Sequence, residues 1–176
     1  MEFDKLIVAD NSPYPVVRVQ RENPRFAAQL TEAFGGSDGE FGTISDYVYQ
    51  GIVFAKEHPE YARVFMELAK VEMHHLAMVG SMIEMLGGKL IYGHYSCNEP
   101  VYWDGADANY SRRLSDALIS DLGGEQRAYA AYVSLARQSR DRYIFAVLTR
   151  IALDEMIHAS LLKSMIHKLR QQQTAE

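Results

Sequence analysis

Cysteine is almost absent from this 176-residue chain: Cys97 is the single one. That excludes an internal disulfide, and it excludes any Cys-x-x-Cys knuckle for iron or zinc. An excess of positive charge is also missing. Eighteen Lys and Arg against 23 Asp and Glu leave a net charge of −5, so there is no electrostatic case for nucleic acid or an anionic membrane surface as a partner. No stretch is long and apolar enough to span a bilayer. The opening Met1-Glu2-Phe3-Asp4 lacks the basic region and apolar run of a secretory leader. These absences together lead us to expect a cytoplasmic protein. What remains is an ordinary globular composition, 48% hydrophobic and 23% charged, in a chain long enough for one domain with a substantial core.

Two copies of Glu-x-x-His stand out within that composition, Glu72–His75 and Glu155–His158, each with a lone Glu upstream. Glu40 precedes Glu72 by 32 residues and Glu125 precedes Glu155 by 30. The surroundings repeat too: Gly35-Gly36 comes before Glu40, Gly123-Gly124 before Glu125, and Tyr47 and Tyr132 each follow their Glu by seven residues. Duplication of a helical hairpin accounts for all of this.

The apolar rhythm decides where these polar groups point. Phe65, Leu68, Glu72, His75, Val79, Met82 and Leu86 follow a 3-4 spacing, as do Leu148, Ile151, Glu155, His158, Leu162, Met165 and Leu169. Each series is one face of an α-helix, with the Glu–His pair at consecutive core positions. Glu40 and Glu125 start shorter versions of the same pattern. Four carboxylates buried without partners would each cost several kcal/mol, whereas two divalent cations would cancel their formal charge. The competing reading places one or more of these Glu on a solvated helix rim, with its His hydrogen-bonded in the core. One Glu from each of two helices and a Glu-x-x-His from each of two others is the ligand inventory of a two-metal site inside a four-helix bundle. The expected metal ligands are therefore Glu40, Glu72, His75, Glu125, Glu155 and His158, holding two ions of iron or manganese per chain.

Punctuation along the chain sets the element boundaries. Residues 1–22 read as an extended lead, and residues 23–171 as the bundle domain. Asn23-Pro24 looks like an N-cap followed by proline at the first helical position, opening a short helix to about residue 34 that Gly35-Gly36 stops. The four bundle helices are predicted over about 38–57, 59–86, 110–138 and 141–171. The first and second, and the third and fourth, are joined by short links and so should be antiparallel. A long connection over 87–109, carrying Trp103, can cross the length of the bundle. The fold class expected is all-α: a ferritin-like four-helix bundle with a long crossover between its second and third helices, preceded by a short N-terminal helix.

This pattern resembles the ferritin-like di-metal carboxylate superfamily over most of residues 35–170. The run Tyr14-Pro15-Val16, Asn23-Pro24, Gly35-Gly36-Ser37-Asp38-Gly39-Glu40, Tyr47 and Gln50-Gly51 is similar to the start of manganese catalases and their short spore-coat-associated relatives. Rubrerythrins share the Glu and Glu-x-x-His arrangement. The resemblance implies that Glu40 is a terminal ligand of one metal, with Glu72 bridging and His75 completing that side, while Glu125 and His158 hold the other. Glu155 is the second bridge if the site is rubrerythrin-like, and an acid or base behind the ligands if it is catalase-like. Tyr47 and Tyr132 would be hydrogen-bond partners of ligand carboxylates, and with Glu155 they form the candidate catalytic set. A complete rubrerythrin with its own rubredoxin-like electron donor is excluded by the single cysteine.

Mixed carboxylate and imidazole ligands suit iron and manganese alike. The function expected is an oxidoreductase acting on hydrogen peroxide or dioxygen. With manganese it is a catalase; with iron it is a peroxidase, which needs an external electron donor. The alternative is a ferroxidase, a metal-storage protein or a structural coat component. The methionines at 73, 78, 82 and 85 read as core fillers or an oligomer interface, and a homo-oligomer is expected. Asp154, four residues before His158, could orient a ligand or simply be solvated.

Overall fold

A computed structural model of the chain describes residues 6–174. Five α-helices follow one another: α1 Pro24–Gly35, α2 Glu40–Val53, α3 Pro59–Met85, α4 Leu114–Gln138 and α5 Arg142–Thr174. Asn23 caps α1 with its side chain, accepting from the Phe26 amide at 3.2 Å, and Pro24 takes the first position as its sequence requires. The hairpin α2–α3 and the hairpin α4–α5 pack as antiparallel pairs, and α1 lies against α3. This is the four-helix arrangement expected, with the long connection after α3 carrying the chain to the start of α4. No helix among the described residues is long and apolar enough to cross a membrane. Residues 6–22 of the lead contain no helix or strand; residues 1–5 lie outside the described residues.

Three boundaries differ from expectation for identifiable reasons. The first bundle helix ends at Val53 instead of 57, because residues 54–58 form the turn into Pro59, closed by the His58 amide on the Phe54 carbonyl at 2.8 Å. The third starts at Leu114 instead of 110, because the Asn109 amide is held by Asp46 at 2.7 Å and the Ser111 amide by the Asn109 side chain at 3.1 Å. The fourth continues to Thr174. The structure is also not wholly helical. The crossover contains an antiparallel hairpin, β1 Gly93–Ser96 and β2 Glu99–Tyr102. Its two-residue loop, Cys97-Asn98, has positive φ at both positions, the turn that matches strand twist. The sequence hides it because cysteine is an unusual residue for a positive-φ position.

The hydrophobic interior is in two parts. One, at the end of the bundle that α1 covers, contains Phe26, Leu30, Val79, Met82, Ile83, Leu148 and Ile151. The other contains Phe54, Phe65, Leu68, Leu118, Leu162 and Met165. Each fully buried side chain of this size contributes about 1.5–3 kcal/mol. The layer between them is polar and contains Glu40, Glu72, His75, Glu125, Glu155 and His158, all buried. The hairpin is pressed onto α1, where a Cβ at Gly35 would lie 2.4 Å from the Gly93 amide nitrogen. Gly35→Ala is therefore expected to destabilise the fold by about 1–3 kcal/mol, read as a lowered midpoint in urea. A midpoint equal to that of the parent chain would mean the hairpin does not need this close approach.

Candidate metal centre

The four bundle helices each send one or two of the predicted ligands into the middle layer. Glu40 opens α2, Glu72 and His75 lie one turn apart on α3, Glu125 is mid-way along α4, and Glu155 and His158 lie one turn apart on α5. All six arrive together. Their side-chain atoms form two groups able to hold a metal ion, one of Glu40, Glu72, His75 and Glu155 and the other of Glu72, Glu125, Glu155 and His158, with the ligand atoms of each group within 4.8 Å of one another. Glu72 and Glu155 belong to both groups. His75 Nδ1 lies 2.9 Å from Glu72, 3.1 Å from Glu155 and 3.8 Å from Glu40. His158 Nδ1 lies 2.8 Å from Glu72, 3.4 Å from Glu125 and 3.5 Å from Glu155.

Both imidazoles are turned by what their far nitrogens meet. His158 Nε2 lies 2.8 Å from the Val8 carbonyl, which can only accept, so that nitrogen carries the hydrogen. His75 Nε2 lies 3.0 Å from Asp154, whose carboxyl is held well below the usual range. Burial alone would raise that carboxyl, but hydrogen bonds from His75, Tyr14, Arg150 and the Asp10 amide outweigh it. In both rings the lone pair of the neutral form is thus at Nδ1, facing the carboxylates, as a metal ligand requires.

The tyrosines complete the arrangement with an exchange between hairpins. Tyr47, on α2, donates to Glu125 on α4, and Tyr132, on α4, donates to Glu40 on α2. Each terminal carboxylate is thereby tied through one oxygen to the opposite half of the duplication. Both hydroxyls are buried, and burial followed by the nearby carboxylates pushes them well above the ordinary tyrosine range. They remain protonated donors.

The donor set fits a metal pair. With the rings neutral, Glu72 Oε1, Glu155 Oε1 and His158 Nδ1 are buried without a hydrogen bond among the described residues, and the lone pairs of Glu72 Oε1 and His158 Nδ1 face each other across 2.8 Å, a costly arrangement for a core that holds only protein. All three atoms lie in the one layer where four carboxylates and two imidazoles converge. Left to their own charges, these groups hold protons. Burial pushes Glu125 up to about 7 and Glu40 well above the carboxylate range. His75 and His158 are raised well above the ordinary imidazole value, because their carboxylate neighbours outweigh burial. Glu72 and Glu155 are held low instead: burial would raise them, and the histidines overcome it.

The sequence reading placed all six ligand candidates and both tyrosines in this layer, and the structure brings all eight together. It missed the lead. Asp10, Ser12 and Tyr14 form a half-buried knot over the buried Arg150 and Asp154: Tyr14 donates to Asp154 at 2.6 Å, the Asp10 amide donates at 2.7 Å, and Arg150 donates to the Ser12 and Asp10 carbonyls. The Arg150 guanidinium also lies 4.0 Å from the Tyr14 ring centroid. Asp154 therefore orients His75 and is not solvated. Its place one residue before Glu155, and Arg150 four before it on the same helix, were the available signals. His74 is exposed and stacks edge-on against Tyr14 at 4.4 Å, outside the ligand layer.

Comparison with known proteins agrees with this geometry. The family model for manganese containing catalase matches residues 11–91. A probable manganese catalase of Clostridium acetobutylicum is 26% identical, over 88% of this chain and 76% of the relative. In fold, the chain superposes on the crystal structure of wild-type KatB, a manganese catalase from Anabaena, with a TM-score of 0.80 at 24% identity, covering 91% of this chain and 79% of the other. The chain thus resembles manganese catalases in sequence over residues 11–91 and shares their fold over most of its length. A second KatB structure, from Anabaena PCC7120, gives the same TM-score at 23% identity.

Two measurements test this candidate metal site. Metal must displace the protons held on Glu40, Glu125 and the two histidines, so affinity is expected to rise with pH through about 7, where Glu125 titrates, with net proton release on binding. Titration calorimetry in buffers of different ionisation enthalpy reads both, and a pH-independent affinity would contradict the charge assignment. Asp154→Asn is expected to weaken metal binding about 10–100-fold by loosening His75, measured by competition with a chelator. An unchanged affinity would show that His75 needs no such support.

Proposed function

We propose that this protein disproportionates hydrogen peroxide, two H2O2 giving two H2O and one O2, at a pair of manganese ions held between the four bundle helices. The observation that carries the reading is the sharing of Glu72 and Glu155 by both ligand groups; two ions side by side need carboxylates that serve both. Glu40 and His75 complete one position, and Glu125 and His158 the other. Carboxylate and imidazole donors suit iron as well, and manganese is favoured by the names of the relatives. Bound there, a manganese pair supplies a two-electron store, so that peroxide can be alternately oxidised and reduced with no outside reductant.

The chain's own groups supply position and proton handling. Tyr47 and Tyr132 each occupy one oxygen of a terminal carboxylate, which leaves the other oxygen aimed at the centre. They act as positioning residues. Membership of both groups supports Glu155 as a shared ligand over a carboxylate standing behind the site. Its Oε1 lies 3.1 Å from His75 Nδ1 and its Oε2 3.5 Å from His158 Nδ1, so one oxygen faces each position, and Glu155 belongs to the catalytic set as that shared ligand. The two apolar halves of the core above and below keep bulk water out of this layer.

A cytoplasmic setting and self-association belong to the same proposal. Exposed Met66 and Met73 on α3 and Met156 on α5 leave apolar surface that a homo-oligomer would cover. The test is metal analysis combined with an oxygen electrode. About two manganese per chain and one O2 per two peroxides, without added reductant, is the expected result; about two iron with turnover only in the presence of a reductant would replace it by a peroxidase. Glu72→Ala should lose both ions together, and retention of two ions per chain would overturn the shared-ligand assignment.

A further inference from the structure

Two small recesses open between α2 and α4; the first meets an exposed ion pair, Asp38–Arg127, and the second meets Asp38 alone. The first, about 50 Å³, is lined by Thr43, Asp121, Gly124 and Glu125, with Asp38 and Arg127 at its edge. The second, about 30 Å³, reaches Glu40, Glu72 and Glu155 past Thr43 and Ala128, and Asp38 lines it too. Arg127 grips Asp38 with two hydrogen bonds of 2.9 and 2.8 Å, and both side chains are more than half exposed, so the pair marks the solvent end. The inner end of the first recess is the ligand carboxylate Glu125.

The first recess contains an unmet demand. Asp121 is 92% buried (8% exposed), accepts from Gln50 Nε2 at 2.9 Å through Oδ1, and leaves Oδ2 without a hydrogen-bond partner among the described residues. Gln50 Oε1, fully buried beside it, is also without one. A space of this size holds one or two small hydroxylic molecules but nothing larger. Such a molecule both donates and accepts, so it satisfies Asp121 in either protonation state. Gly124 keeps the passage open: a Cβ there meets nothing within 4 Å.

We propose that the recess between α2 and α4 is the route by which hydrogen peroxide reaches the centre, with Asp121 as its binding group and the Asp38–Arg127 pair as its mouth. The inference rests on the peroxide reading above and adds to it a specificity-determining residue. A neutral molecule of two oxygens fits this passage; an organic reductant does not.

Gly124→Leu tests it. Leucine has the higher helix propensity and projects into open space, so the variant should fold and bind metal like the parent. In the metal-loaded enzyme kcat/KM for peroxide should fall about tenfold or more, and the association rate of azide, followed by absorbance, should fall in parallel. Ala128→Leu, which fills the second recess instead, should change either rate by no more than about twofold. Asp121→Ala should raise KM while leaving kcat within about twofold, and Asp121→Asn should restore KM. Parent-like rates in Gly124→Leu, or loss confined to Ala128→Leu, would overturn the route. If the parent protein releases no dioxygen, the proposed function fails, and the azide rates still decide the path.

Discussion

Four carboxylates and two imidazoles buried in one layer of a helical bundle form the constraint on which the remaining structure depends. Such a layer opposes folding: it carries like charges, it interrupts the hydrophobic interior, and it gives up hydration. Every device nearby offsets some part of that. The two apolar halves of the core, around Val79 and Leu148 on one side and Phe65 and Leu162 on the other, clamp the layer from above and below. The tyrosines tie Glu125 and Glu40 across the bundle, so neither hairpin can shift without breaking a buried hydrogen bond. Metal ions would remove the remaining repulsion, which makes ion binding and folding of this layer one linked process.

The duplication gives the site a near two-fold character, with each hairpin supplying one terminal Glu, one Glu-x-x-His and one tyrosine. The lead breaks that symmetry. His75 is oriented by a carboxylate, Asp154, held in a knot of Tyr14, Arg150 and the Asp10 amide, whereas His158 is oriented by a single backbone carbonyl, that of Val8. A carboxylate partner makes an imidazole a stronger donor than a carbonyl does. The two groups of candidate ligands are thus chemically distinct although their residues repeat. Such inequality suits an oxidoreductase whose two ions share a substrate.

Side-chain size shapes the surroundings as much as charge does. Gly124, next to ligand Glu125, has open space where a Cβ would be, and Ala128 lies one turn on. On the opposite side, Met78, Met82 and Ile83 seal α3 against α1. The layer is therefore bounded at one end by bulky apolar side chains and flanked by small residues along α4. The crossover hairpin lies away from this approach, packed on α1 through the Gly35–Gly93 contact, and its aromatic cover, Tyr92 and Trp103 around Phe41, closes the outside of α2.

The heptad spacing by itself determined the helices and placed the six candidate ligands on their inner faces, because a helix sets residues three and four apart on one face, and the short links determined the antiparallel pairing. The Asn23-Pro24 cap was legible for the same local reason. The hairpin around Cys97-Asn98 was not, since its turn is stabilised by packing on α1 and not by its own residue types. Nor was the role of Val8, Asp10 and Tyr14: they lie about 140 to 150 residues from the partners they hold, at separations no periodicity encodes. Which nitrogen of each histidine faces the centre, that Glu155 touches both candidate ligand groups, and that Asp121 has one unmet oxygen among the described residues in a recess leading to Glu125 were decided only when the helices packed, because distances between side chains on different elements exist only in the assembled bundle.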